Sequence, residues 1–300
     1  MQYTNIMNKK TDVASKECVT IGFINSNDQL THYSNIEHSL NSIIADKGWQ
    51  IISLNSGGDP SLIYQNTESL VNMEVDAVVA FNDMSRFPKD SAALLKNENI
   101  PFIILDNPLE KAVFCGFDYV DAGEMLADKL LSSAKSKFKS IDYVLALQSV
   151  EPYAEQNSCM NSAIDKFKSA NTCKDTSIMT VMAAPISADV SDSCKDFFAH
   201  INPTSGIIIV CESAEHAQAA SEAILGLKCS DNAIVGCFDR DDSSLFDNAT
   251  KQVSAIWNCS VLFSSDTLKN QLRFALTDIV GNTSNSAKDY TLKPQINTKK

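Results

Sequence analysis

Residues Ile100–Asp118 read IPFIILDNPLEKAVFCGFD. Two short apolar runs, Pro101–Leu105 and Ala112–Phe117, flank a polar turn around Pro108. Each run ends on an aspartate, Asp106 or Asp118. Continuous apolar runs of this length suit strands buried on both faces, the pattern of parallel sheets covered by helices. In open α/β sheets the residues just past the C-terminal end of a strand leave the core and enter the ligand crevice. Asp106 and Asp118 are therefore expected to face one cleft.

The same pattern extends in both directions. Upstream, Val19–Asn25 (VTIGFIN) reads as a strand, and Ile36, Leu40, Ile43 and Ile44 fall at helical spacing in a helix over Asn35–Lys47 that Gly48 ends. Trp49–Leu54 and Asp76–Phe81 follow as strands, separated by a helix that opens on Asp59-Pro60 and carries Leu62, Ile63, Leu70 and Val71 inward. Downstream, a helix over Asp121–Ala134 starts a second series. Strands are expected at Ile141–Leu147, Ser177–Ala183, Gly206–Cys211, Ala233–Phe238 and Val253–Trp257, with helices between them. A helix over Asp266–Gly281 and a short extended piece at Tyr290–Leu292 close the chain. Strand–helix repetition forces parallel pairing through right-handed crossovers. The fold class is α/β, with two successive units of similar size.

Composition narrows the function classes. At 300 residues the chain has room for two lobes, and 44% hydrophobic with 21% charged residues is ordinary for a folded protein. A formal charge of −12 with no basic run disfavours direct nucleic-acid binding, which depends on phosphate contacts. No apolar run reaches the ~20 residues that span a bilayer. The polar residues 1–17 contain no apolar signal-peptide core, so the sequence as written points to the cytoplasm, or to the periplasm or exterior if a leader was removed. Nine cysteines without CxxC spacing favour a reducing setting and no metal site, and Cys115, Cys211 and Cys237 sit in apolar runs as small hydrophobes. No cofactor fingerprint, GxSxG or HExxH occurs, so the chain is not expected to be an enzyme. The acidic run Asp239–Asp242 lacks the spaced oxygen ligands of a calcium loop.

Several segments taken in order resemble the type I periplasmic-binding-protein family, the fold that also serves as effector domain in lactose-repressor-type regulators. They are TIGFINS with GWQIISLNS, DPSLIYQNTESLVNMEVDAVVAF, IPFIILDNP, AVFCGFDYVDAGEMLADKL, and AIVGCFD with VSAIWN. The resemblance implies two doubly wound parallel-sheet lobes joined by a three-strand hinge that closes on a ligand. It puts residues 18–117 plus 259–283 in the N-terminal lobe and 118–258 plus 284–297 in the C-terminal lobe, with crossings near Asp118, Asn258 and Ser286. Position in the family pattern points to His32, Tyr33, Asp106, Asp118, Asn157, Glu212, Asp239 and Asn258 as ligand-binding residues. Tyr33 would serve as an aromatic platform or as the core anchor of its helix, and Asp118 would also be placed to cap the helix that follows it.

Departures from the family pattern bear on the ligand. Asn107 stands after Asp106 where sugar-binding members commonly have arginine, Asn157 or Gln156 stands where the family's C-lobe helix offers an arginine, and Glu212-Ser213 replaces its amide–carboxylate pair. Without those guanidinium forks the family's usual sugar pose lacks its rigid planar donors, which Asn or Gln does not reproduce. The expected partner is a small neutral polar ligand, carbohydrate in class, delivered to a membrane permease or sensor of the ABC type. The alternative is a cytoplasmic ligand-sensing regulator without a helix-turn-helix, and a third reading is an interaction module that has lost its ligand.

Overall fold

The computed structural model describes residues 18–26, 31–82, 86–150, 154–170, 173, 175–184, 187–240, 245–281 and 289–298, with the side chains of 31, 32, 154–156, 187 and 240 excepted. The polar tail expected at 1–17 and the side chain of His32 lie outside the described part.

Strands and helices alternate as the sequence suggests. The first series runs β1 (Thr20–Asn25), α1 (Thr31–Lys47), β2 (Gln50–Asn55), α2 (Pro60–Asn72), β3 (Ala77–Phe81), α3 (Lys89–Asn97), β4 (Phe102–Leu105) and β5 (Val113–Phe117). The second runs α4 (Tyr119–Lys137), β6 (Tyr143–Gln148), α5 (Ala154–Ser169), β7 (Ser177–Met182), α6 (Ser187–Ala199), β8 (Ile207–Cys211), α7 (Ala214–Gly226) and β9 (Ala233–Arg240). Two one-turn helices, α8 (Leu245–Asn248) and α9 (Lys251–Ser254), lead to β10 (Trp257–Phe263), α10 (Ser265–Gly281), β11 (Asp289–Leu292) and β12 (Gln295–Thr298).

Local chemistry sets several boundaries. Asp59 caps α2 by accepting from the Ser61 N–H at 2.7 Å, and Pro60 occupies the first helical turn, where no N–H is needed. Gly48 ends α1 at φ +67°, a conformation without penalty only for glycine. β3 and β4 are buried along their whole length, as strands covered on both faces must be.

The strands form two six-stranded sheets, ordered β11-β5-β4-β3-β1-β2 and β12-β10-β9-β8-β6-β7. Every pairing is parallel except β10 with β12. Each sheet has helices on both faces, and each lobe has a core cluster on either side of its sheet. Cys115, Cys211 and Cys237 are fully buried within these cores, and burial pushes the Cys115 thiol up to about 12, so it stays protonated at neutral pH.

The chain crosses between the lobes three times: after Phe117, after Phe263 and between Leu292 and Gln295. The first crossing is where the sequence puts it. The second is not at Asn258, because the strand in the second sheet begins at Trp257 and continues to Phe263. Residues 259–263 thus belong to the C-terminal sheet, while β11 pairs with β5 in the N-terminal sheet, so the third crossing follows Leu292 instead of Ser286. The segment read as a strand at Val253–Trp257 is a helical turn over Lys251–Ser254 capped by Thr250. Only Val253 of that run is buried within the turn, and Trp257 opens β10.

Candidate functional site

Because the chain leaves β5 and β10 at their C-terminal ends to enter the other lobe, the C-terminal edges of both sheets meet at the hinge. Four aromatic rings pack there. Phe263 lies 5.3 Å from Phe117, 5.4 Å from Tyr119 and 6.4 Å from Phe238 between ring centroids.

The buried polar residues collect at the same edges. Of fifteen buried polar or charged residues among those described, nine stand at the C-terminal end of a strand. Asn25, Ser26, Ser56, Asn82, Asp106 and Asn107 belong to the N-terminal sheet, and Gln148, Glu212 and Asp239 to the C-terminal one. Buried polar groups are costly unless hydrogen-bonded, so nine of the fifteen at these strand ends make the C-terminal edges the candidate site.

In the N-terminal lobe, Asp106 follows β4 with φ +66° and is 4% exposed. Among the described residues, three of the other four non-glycine residues with positive φ, Glu74, Asn99 and Lys228, follow helices, and Lys111 lies in the β4–β5 turn. Among these Asp106 alone turns directly off a strand, a conformation that aspartate tolerates better than most residues. Asn107 then folds back into its own lobe. Its side-chain amide donates to the Asn82 carbonyl at 3.2 Å, and the Asn82 amide donates to the Asn107 carbonyl at 3.0 Å. Asn82 Oδ1 also accepts from the Phe87 N–H at 3.0 Å. The residue standing in place of arginine is therefore a latch between the ends of β3 and β4. Tyr33 is 1% exposed, with its ring edge-on to Phe81 at 4.7 Å in the N-lobe core, the core-anchor placement.

Asp118 is half-buried at the first crossing. Its Oδ1 caps α4 by accepting from the Asp121 N–H at 2.9 Å, and its own N–H donates to the Leu292 carbonyl at 2.9 Å, tying two crossings together. Asn107 and Asp118 also line a cavity of about 520 Å³ whose walls include Pro108 and Phe117 from the N-terminal lobe and Val120 and Ser158 from the other. That volume suits a small ligand.

In the C-terminal lobe, Gln148 ends β6 and donates its amide to Asn157 Oδ1 on α5 at 2.6 Å. Glu212 follows β8, is 3% exposed, and accepts from the Ser149 hydroxyl through Oε1. Asp239 is buried near the end of β9, paired in register with Leu262. Asn258 does not join them. It sits at the opposite, N-terminal end of β10, where its Oδ1 accepts from Ser133 on α4 at 2.8 Å. His216 is a satisfied core histidine, with Nε2 3.0 Å from the Ala183 carbonyl and Nδ1 3.1 Å from the Ser213 hydroxyl. No cluster of metal-ligating side chains occurs among the described residues, and no helix among them is long and apolar enough to cross a membrane.

No protein-family model and no curated protein matches the sequence. Solved structures do match its fold. A carbohydrate transporter solute-binding protein from Agrobacterium radiobacter, in complex with D-arabinose, superposes with a TM-score of 0.68 at 18% identity, over 95% of this chain and 96% of that one. An ABC transporter solute-binding protein from Agrobacterium vitis with bound allitol gives 0.72 at 10% identity, over 93% and 95%. A periplasmic solute-binding protein from Actinobacillus succinogenes with bound D-allose gives 0.71 at 14% identity, over 93% and 97%. The chain has the type I periplasmic-binding-protein fold.

Within that fold, the sequence reading missed Asn25, Asn82, Gln148 and Phe263. Each stands at the C-terminal end of its strand, and the end of β10 is Phe263 once the strand is in register. The signal for the first three was present in the sequence: a polar residue directly closing or following an apolar run, as in GFIN, VVAFN and LALQ.

Proposed function

We propose that this protein binds a small polyhydroxylated ligand of the carbohydrate class between its lobes, as the solute-binding component of an ABC-type transporter or membrane sensor. The observation that carries the reading is the gathering of nine buried polar residues at the C-terminal edges of both sheets, beside the three crossings. Hydroxyl-rich ligands need many hydrogen-bonding partners at once, and groups on two lobes can close around them by a hinge motion. The fold's solved neighbours that hold D-arabinose, allitol and D-allose support the same ligand class. The work of the site is recognition and closure, with no bond made or broken.

A thermal-shift screen of the purified chain against monosaccharides and polyols tests the reading. A ligand at a hundredfold over its Kd that binds only the folded state adds about 2.7 kcal/mol of stability. At least one sugar or polyol is expected to raise the melting temperature. A folded sample that responds to none of them would refute the proposal.

A further inference from the structure

We infer that the ligand carries a protonated amine and that Glu212 is the residue that selects it. This rests on the carbohydrate-binding reading above and replaces the expectation of a neutral ligand with an amino sugar or aminopolyol.

The Glu212 carboxylate is buried and only half satisfied. Oε1 accepts from Ser149, whereas Oε2 is buried and makes no hydrogen bond. Among the described residues, no lysine, arginine or histidine forms an ion pair with it. A carboxylate taken out of water without a counter-charge is strongly disfavoured, and it persists where something else supplies that charge.

The groups around it show what kind of partner is missing. The Ser149 hydroxyl is already donated to Glu212, and the Gln148 amide to Asn157. In the N-terminal lobe Asn25, 1% exposed at the end of β1, gives its amide N–H to Glu37 at 2.9 Å. That bond fixes the orientation of the amide, since a carboxylate only accepts, and it leaves the buried Asn25 Oδ1 without a hydrogen bond. Among the described residues, each lobe thus has at its strand ends at least one buried acceptor oxygen that lacks a donor. A ligand that fits must bring donors to both, and a positive charge to the Glu212 side. A protonated amine carries three N–H donors and no acceptor, and its bond to a carboxylate is about twice as strong as one between neutral groups. A sugar hydroxyl brings a donor but no charge. The formal charge of −12 on the whole chain also favours the approach of a cation.

The test uses matched pairs on the full chain: D-glucosamine against D-glucose and D-galactosamine against D-galactose, with the N-acetyl derivatives as uncharged controls, by calorimetric titration. For at least one pair the amine form is expected to bind about tenfold or more tightly than both the neutral sugar and the N-acetyl form. Glu212→Gln, which keeps the shape and removes the charge, is expected to abolish that preference. Raising salt should weaken the amine form more than the neutral one in the wild type, a readout that does not depend on the variant folding. Neutral sugars that bind as tightly as their amines overturn the inference and leave carbohydrate binding intact, as does a preference that survives Glu212→Gln. Silence from every member of the panel overturns both.

Discussion

Two corners of the molecule, one at the strand ends of each sheet, treat their polar groups in opposite ways. Where β3 and β4 end, Asn82 and Asn107 exchange side-chain and backbone hydrogen bonds, and the remaining Asn82 oxygen is taken by Phe87. Where β6 and β8 end, Ser149 satisfies one oxygen of Glu212 and the other is left without a bond. The first corner contributes rigidity, because a fully satisfied buried network holds one arrangement. The second forgoes stability, which is how binding sites commonly differ from the scaffold that carries them. The β3–β4 corner is held in one arrangement, whereas the β6–β8 corner keeps a carboxylate oxygen without a donor.

Substitutions can break that contrast or sharpen it. Asn82→Ala should have the largest effect, since it orphans the Asn107 carbonyl and the Phe87 N–H together. Urea unfolding is expected to report a loss of about 2–3 kcal/mol; a loss under about 1 kcal/mol would mean the corner is no latch. Glu212→Gln should move stability the other way, by zero to about +1 kcal/mol, because it removes a buried charge while the Ser149 bond has a carbonyl oxygen to go to. A marked destabilisation there would erase the difference between the corners. Asp118→Ala sits between them at the first crossing and should cost about 1 kcal/mol through the lost cap of α4. Lys166→Ala serves as the surface control. Its pairs with Glu124 and Asp128 are partly solvated, so a change within about 0.5 kcal/mol is expected in the same unfolding assay.

Most of the fold was legible in the sequence because buried parallel strands announce themselves as apolar runs, and Ile100–Asp118 gave two of them with their terminal aspartates in place. The register of the second crossing was harder to read. VSAIW is an apolar run short enough to suit strand or helix. Its first residues close a helical turn over Lys251–Ser254 and β10 starts only at Trp257, which leaves Asn258 at the N-terminal end of that strand, away from the crevice. β12 was hidden in a polar tail beyond Pro294, where only pairing with β10 defines a strand. In the site, the absence of arginine after Asp106 was plain, but the reason was not, since Asn82 and Asn107 are brought together by the sheet across 25 positions. The Ser149–Glu212 pair spans 63 positions and leaves no local trace.

The central claim is that both lobes grip one ligand through their strand ends. The most direct measurement is calorimetric titration of a sugar found in the screen into Asn25→Ala and Gln148→Ala, one substitution on each lobe. The account predicts that each weakens binding by about tenfold, close to 1.4 kcal/mol. Affinity that falls in only one of the two variants would place the ligand on a single lobe and contradict the clamp.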